Sequence, residues 1–573
     1  MKKLKKERNH EYLQQGLEYH RAGNLDCASI NYSKLLKHDP LNPEALNLMG
    51  VISLQTGNPE KAIELISKAL AQDINNPGYL NNLGQAWDRT DNASEALKCY
   101  QKALKIQPNS SDVLNNIGNS LKTFGRYAEA KLAFKEALTL TKEDPSIYHS
   151  FGVLRQEMGA FSEAIKCYRS ALSLNPSLPT VHGSLASALE SLGESELAVQ
   201  SYFLAIKLDP FYLPAHEGLK KIRWAAKDIK LLHESYFYAC KVCPNSASAF
   251  NNLAQSLFES SEIDAAFDAV KKAFSLDATH SRSYGILAAL YRVQKKYDLA
   301  IKAHQKELEH DGDNYHVKES FGQTLCLSGR FDEAASQLLT AHKMNPRRSS
   351  VLGILTVAMN EIGDKNVSNY VDYDTYVTSR LIDVPDGFKD LDEFNNALHE
   401  EISAHHEDLP PPEGQTMRGG TQIPNHLFKG EKGLTTVVKN QISLALHEYI
   451  ETLKFDPNHP FLRFKNPNFR FTGAWSTILY GSGYDASHVH NAGWLSGVYY
   501  LKIPDLPDDI WENGEGCIQF GEPPANYVSR RNYTHKLIRP CAGTAVFFPS
   551  YYWHGVKPFR QNGLRHAISF DIT

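Results

Sequence analysis

Residues Asp485–Tyr500 read DASHVHNAGWLSGVYY. His488 and His490 stand with one residue between them, just before a run of apolar and aromatic residues. On a β-strand, side chains at i and i+2 point to the same face, so both imidazoles are expected to aim at one point inside a barrel. A third histidine, His554, follows in VFFPSYYWHGVKP, and then Arg565 in GLRHAISFDI. Two ring nitrogens from one strand, a third from a distant strand and a buried cation suit a non-haem iron centre that also takes an anionic co-substrate.

The motifs around these residues extend the pattern. MRGGTQ (Met417–Gln422), GAW (Gly473–Trp475), HVH (His488–His490), WLSGVYYL (Trp494–Leu501) and VFFPSYYWH (Val546–His554) follow one another in order. From about Gly387 to Thr573 the sequence resembles a 2-oxoglutarate- and Fe(II)-dependent oxygenase domain. It is most similar to the bacterial and phage branch that carries H-x-H, then SGVYY, then FPS…H and a late Arg. The resemblance implies Fe(II) held by His488, His490 and His554, with 2-oxoglutarate as co-substrate. One departure stands out. Better-known oxygenases of this class hold iron with His-x-Asp/Glu…His, and the carboxylate position here is His490. Either all three histidines ligate, leaving the ion its full charge and favouring a dianionic co-substrate, or His490 stands aside and water replaces it. Halogenating relatives place a small residue there, so halogenation is not expected.

The resemblance also implies that Arg565 pairs with the distal carboxylate of 2-oxoglutarate, for which a guanidinium fork is well shaped; the ordinary alternative is a surface ion pair. Ser569 shares its strand face and would add a hydroxyl. Tyr500 would add another, with the register between Tyr499 and Tyr500 left open. His566 alternates away from Arg565 and is expected to point outward, and His535 reads as an ordinary surface residue. Short β-rich runs near 471–480, 484–490, 494–503, 515–521, 533–538, 543–548, 553–557 and 564–572 suggest an all-β double-stranded β-helix, or jelly roll.

Upstream, Leu391–His405 returns to helical spacing, with Leu391, Phe394, Leu398 and Ile402 on one face. A second amphipathic helix is expected from Leu434 to Leu453, and both are expected to brace the barrel. His405 and His406 read as a polar helix end, and LPPPEG (Leu409–Gly414) as a stiff turn. The domain assigned to the oxygenase runs over 387–573, with a linker at 365–386.

Before the linker the chain repeats. Steps of 34 from Gly16 reach Gly50, Gly84, Gly118, Gly152, Ala186, Lys220, Ala254, Ala288 and Gly322. Alanines recur twelve residues further into nearly every unit, from Ala28 to Ala334, and prolines close six of the ten units at one phase. This pattern is identified as tetratricopeptide (TPR), ten units over 9–348 in an α solenoid, with 349–364 as a capping helix. Each unit pairs two helices whose close crossing admits only small residues, and stacking supplies the core that no unit has alone. Lys220 and Leu232 break the small-residue positions, which predicts either a distorted joint or simple drift. Asn82, Asn116 and Asn252 share one phase of the first helix. They either hydrogen-bond a peptide in the groove or are ordinary solvated positions.

Composition excludes several classes. A net charge of −4 and the lack of a basic stripe give no reason to expect nucleic acid. No apolar run is long enough to span a membrane, and the basic start MKKLKKERNHEY has no apolar segment behind it, so no secretory signal is expected. Eight scattered cysteines favour a reducing, cytoplasmic setting. The lone pair Cys240 and Cys243 reads as two helix residues. The leading expectation is hydroxylation of a protein or peptide recruited by the array. The alternatives are a small-molecule hydroxylase that uses the repeats for assembly, and a TPR scaffold with a silent barrel.

Overall fold

The computed structural model describes all residues except 1, 91, 313, 405, 407–415, 424–426, 430–432, 492 and 560–562. Helical hairpins follow one another from Lys2–Arg21 to Phe331–Met344, and the chain divides into two compact units, Met1–Leu208 and Asp209–Thr573. The small residues do what the spacing predicts. A Cβ on Gly118 would lie 2.7 Å from the Phe134 ring, so the two helices approach at a distance that only glycine allows. A second 34-residue phase also appears: Gly23, Gly57, Gly125, Gly159, Gly193 and Gly329 all turn the hairpin with positive φ. Lys227, Ser261 and Lys295 hold that conformation without being glycine, which costs about 1–2 kcal/mol at each.

Within the second unit, the repeat carrying Lys220 and Leu232 is distorted. Its second helix is reduced to a 3₁₀ turn, Ile229–Leu231, and a short helix, Glu234–Val242. Lys220 is buried, and its ammonium reaches Glu259 at 3.0 Å. Cys240 and Cys243 lie on and just after that short helix, and both thiols are free.

Among the described residues nine strands follow: β1 (Thr378–Leu381), β2 (Met417–Ile423), β3 (Phe471–His488), β4 (Leu495–Lys502), β5 (Ile518–Phe520), β6 (Lys536–Ile538), β7 (Thr544–Pro549), β8 (His554–Val556) and β9 (Leu564–Ile572). They join antiparallel in the order β1-β7-β4-β9-β3-β8-β5-β6, with β2 also on β3. The two strands expected at 471–480 and 484–490 are one. β3 turns through Ser482, whose φ is 70°; its first half pairs with β9 and its second half with β8. That bend rolls the sheet into the jelly roll. β1 falls inside the segment read as a linker, and MRGGTQ forms most of β2.

Helix Leu391–Ser403 lies over β4, where Asn395 accepts a hydrogen bond from the Tyr499 hydroxyl at 2.5 Å. Helix Leu434–Thr452 lies over β7, with Tyr449 stacked on Phe547 at 5.7 Å. Helix Ser349–Ile362 packs on the last repeat with one side and on the roll with the other, within one continuous core. Trp553 Nε1 donates to Gly353 O at 2.7 Å, and Ser349 Oγ donates to Gly493 O at 2.6 Å. A Cβ on Gly353 would meet Val489 Cγ1 at 2.8 Å. The helix therefore rests on the residue between His488 and His490. No described helix is long and apolar enough to cross a membrane.

Candidate metal centre

His488 ends β3, and His554 opens β8 directly opposite it. His490 lies two residues past the end of β3, where its N–H donates to Ser550 O at 3.0 Å. Ring centroids are 4.4 Å apart for His488 and His554, 4.9 Å for His490 and His554, and 5.2 Å for His488 and His490. The three residues that the sequence singled out are thus brought together. They sit against Phe520, Phe548 and Trp475. His490 and His554 are buried, and His488 is the more open of the three, its side chain 21% exposed.

Each imidazole is oriented through Nδ1. His488 Nδ1 donates to Ala486 O at 2.8 Å and His554 Nδ1 to Tyr552 O at 2.9 Å. His490 Nδ1 donates to Asp571 Oδ1 at 2.5 Å. Carbonyl and carboxylate oxygens only accept, so all three rings carry a proton on Nδ1, and each in its neutral form presents an Nε2 lone pair. The Nε2 atoms of His488 and His490 face each other at 3.2 Å. Two lone pairs aimed at each other repel, and a cation between them removes the conflict. One ligand atom from each of the three histidines lies within 4.8 Å of the others. Three neutral nitrogens with acceptors behind them fit a divalent first-row ion. Burial holds His488 and His554 below the usual imidazole range, His554 well below it. Burial acts the same way on His490, but the Asp571 carboxylate outweighs it and the net shift is upward.

Arg565 is 3% exposed, with its guanidinium carbon 4.9 Å from the centre of the Tyr500 ring. Among the described residues no carboxylate pairs with it, and its Nε and the Tyr500 hydroxyl both lack a hydrogen bond. A buried, unpaired cation is costly, and an anionic ligand would relieve it. Burial, the larger influence, pushes the Tyr500 hydroxyl up, with Arg565 opposing. The register also settles the two tyrosines: Tyr500 faces inward and Tyr499 outward, toward Asn395. Ser569 pairs across from Trp475 and Val498 and shares the Arg565 face of β9.

Two expectations are corrected. His566 does alternate away from Arg565, but the outer face of β9 is covered. Helix Leu391–Ser403 places His399 Nδ1 2.7 Å from His566 Nδ1, and His566 is fully buried. His406 is not a polar helix end: it is buried and bridges Thr421 Oγ1 at 2.9 Å and Ser476 Oγ at 2.8 Å. His405 and the LPPPEG turn lie outside the described residues, and His535 is exposed. In the repeats, Asn82 Nδ2 donates to Asn47 Oδ1 at 3.0 Å and Asn116 Nδ2 to Asn81 Oδ1 at 2.9 Å. Both amides thus tie neighbouring units together.

The residue that sequence reasoning missed is Asp571. Its signal was the two-residue period that runs from Arg565 through Ala567 and Ser569 to Asp571 on the inner face.

Residues 473–571 match the family model described as putative 2OG-Fe(II) oxygenase. Tetratricopeptide-repeat models match residues 13–77, 77–110, 99–131 and 150–212. No curated protein matches the chain. Among solved structures, PilF from Pseudomonas aeruginosa is 24% identical, the match covering 37% of this chain and 97% of that one, with a TM-score of 0.32. A thermophilic TPR protein from Thermus thermophilus is 24% identical over 32% of this chain and 99% of that one, with a TM-score of 0.30. PilW, a type IV pilus biogenesis factor, is 19% identical over 36% and 97%, with a TM-score of 0.34. This chain carries tetratricopeptide repeats and, C-terminal to them, a domain of the family described as putative 2OG-Fe(II) oxygenase.

Proposed function

We propose that the chain is an Fe(II)- and 2-oxoglutarate-dependent oxygenase that hydroxylates a protein or peptide recruited by its repeats. The observation that carries this reading is the convergence of one ligand atom from each of three histidines whose Nδ1 atoms are all committed to acceptors. Iron(II) held there would supply the chemistry that couples oxidative decarboxylation of 2-oxoglutarate to hydroxylation of a C–H bond. His488, His490 and His554 would hold it. Arg565 would orient the co-substrate by pairing with its distal carboxylate, and Tyr500 and Ser569 would donate hydroxyls to it. Phe520, Phe548 and Trp475 keep bulk water from the buried side of the centre.

TPR arrays generally bind proteins, which supports a protein or peptide substrate. In the second unit the helix Ser349–Ile362 rests on Val489, so the end of the repeats is braced against the residue between two of the proposed ligands. We assign peptide contact to Asn82, Asn116 and Asn252. The amide nitrogens of Asn82 and Asn116 are already used between repeats, so those two would offer their carbonyl oxygens to backbone N–H groups. The eight free thiols are in keeping with a cytoplasmic setting.

The test is succinate formation from 2-oxoglutarate by anaerobically purified protein given Fe(II) and then air. Uncoupled turnover in wild type that is lost in His488→Ala and His554→Ala supports the reading. No turnover and no retained iron in wild type would return the barrel to a silent module. Once a peptide substrate is in hand, Asn82→Ala with Asn116→Ala should raise its KM and leave uncoupled succinate formation unchanged.

A further inference from the structure

We infer that Asp571 is a positioning residue for the metal centre, returning through His490 the negative charge that a histidine at the carboxylate position leaves out. The inference rests on the oxygenase reading only in that a divalent metal must bind the three histidines. Asp571 Oδ1 accepts from His490 Nδ1 at 2.5 Å and from Ser496 Oγ at 2.6 Å. Ser496 Oγ also lies 2.9 Å from His490 Nδ1 and 2.8 Å from Ser550 Oγ. Ser496 and Ser550 are both fully buried, and the backbone at Gly493 closes on the same place. A Cβ there would stand 3.2 Å from Asp571 Oδ1 and 2.5 Å from Ser550 Oγ. The carboxylate is therefore held in one position by groups from β4, the β7–β8 turn and the loop after β3. His488 and His554 give their Nδ1 protons to backbone carbonyls, and the Asp485 carboxylate stands 3.8 Å from His488 Nδ1, outside hydrogen-bond reach. Of the three ligands, His490 is thus the one hydrogen-bonded to a full charge.

The consequence is a division of labour. An imidazole that gives its Nδ1 proton to a carboxylate becomes a stronger donor at Nε2. The charge sits one ring away from the metal, so the coordination position that a carboxylate ligand would fill is taken by nitrogen while the overall charge of the centre is lowered by one. Removing it should have opposite effects on two ligands. A cation loses an attractive charge and binds more weakly, whereas a dianion that binds next to the metal loses a repulsive one and binds more tightly. A residue that merely shapes the fold would not produce opposite signs.

The experiment is titration of metal-free protein with Co(II), read by its visible ligand-field bands, followed by calorimetric titration of the Co(II)-loaded protein with N-oxalylglycine, an unreactive dianionic analogue. Asp571→Asn keeps an acceptor in place and removes the charge. It should weaken Co(II) binding about 10–100-fold and strengthen N-oxalylglycine binding to the loaded protein, and Asp571→Glu should recover part of the Co(II) affinity. If Asp571→Asn fails to fold, Ser496→Ala, which removes a hydroxyl that donates to the same oxygen but leaves the charge in place, should weaken Co(II) binding by a smaller factor and leave N-oxalylglycine binding to the loaded protein unchanged. Unchanged Co(II) affinity in the variant that folds would overturn the inference and leave the metal site standing. Wild type that takes up no Co(II) would overturn the metal site itself.

Discussion

Two groups of three histidines lie on opposite faces of one sheet. On the inner face, His488, His490 and His554 each spend Nδ1 on an acceptor and leave Nε2 aimed inward. On the outer face, His399, His406 and His566 are tied into a continuous chain: His399 to His566, His566 Nε2 to Ser476 Oγ at 2.7 Å, and Ser476 to His406. Both groups contain buried rings within hydrogen-bond range of one another. What separates them is where the lone pairs go: in the inner group they converge without a partner, and in the outer group the contacts are consumed among neighbours. A cluster of histidines becomes a candidate metal site through unspent donors, not through proximity.

The sharpest way to break this comparison is to truncate both groups. His488→Ala, His490→Ala and His554→Ala should each cost at least about 100-fold in metal affinity, since each removes a ligand and not merely its support. His399→Ala, His406→Ala and His566→Ala should leave metal stoichiometry at wild-type level and lower Tm instead. Metal content after anaerobic loading and gel filtration reads the first effect, and thermal unfolding reads the second. Equal metal loss in both sets would end the distinction.

Arg565→Ala comes next. A charge-assisted hydrogen bond is worth about 1.5–3 kcal/mol, so the KM for 2-oxoglutarate should rise about 10–100-fold, while metal affinity stays within a few-fold of wild type. Gly353→Ala sharpens the contrast from a distance. Its new Cβ would press on Val489 Cγ1 at 2.8 Å and on Tyr551 O at 3.1 Å, at about 1–3 kcal/mol. Part of that strain should appear as weaker metal binding, because Val489 lies between two of the ligands.

The smallest effect is a dependence on pH that belongs to the outer group. Burial, and then the neighbouring His399 and His406, pushes His566 down to about 3. The folded protein therefore keeps this ring neutral where the unfolded chain, with an ordinary histidine near 6.5, takes up a proton. The unfolded state then binds more protons, so this contribution to stability is complete above pH 6.5 and is lost as pH falls from there toward 3. The slope for one such proton is about 1.4 kcal/mol per pH unit. Urea midpoints for metal-free wild type and His566→Gln between pH 7 and pH 5 (the outer group alone differing) should show a shallower slope in the variant.

The same contrast explains what the sequence could show. The repeats were legible because their contacts are local: Gly118 and Phe134, whose close approach dictates the glycine, belong to one 34-residue unit. The inner histidines were legible because their motifs are contiguous; strand alternation separated Arg565 from His566 on β9, but it does not account for His490, which lies past the end of β3. Alternation also put His566 on the far face, but it says nothing about what covers a face. Helix Leu391–Ser403 does so from far along the chain, which turned an expected surface histidine into a buried one. Asp571 was within reach of the same two-residue period but was not picked out, because its partner His490 is distant in sequence. β1 escaped because it stands apart from the other strands, between helices, and its partner β7 lies far along the chain.

The central claim is that His488, His490 and His554 form the metal site and that the outer group does not. The most direct measurement is an anomalous difference map at the iron edge from crystals loaded with Fe(II) under anaerobic conditions. The account predicts one strong peak within bonding distance of all three inner Nε2 atoms and none at His399, His406 and His566. A peak at the outer group, or a peak bonded to His488 and His554 with His490 turned away, would contradict it.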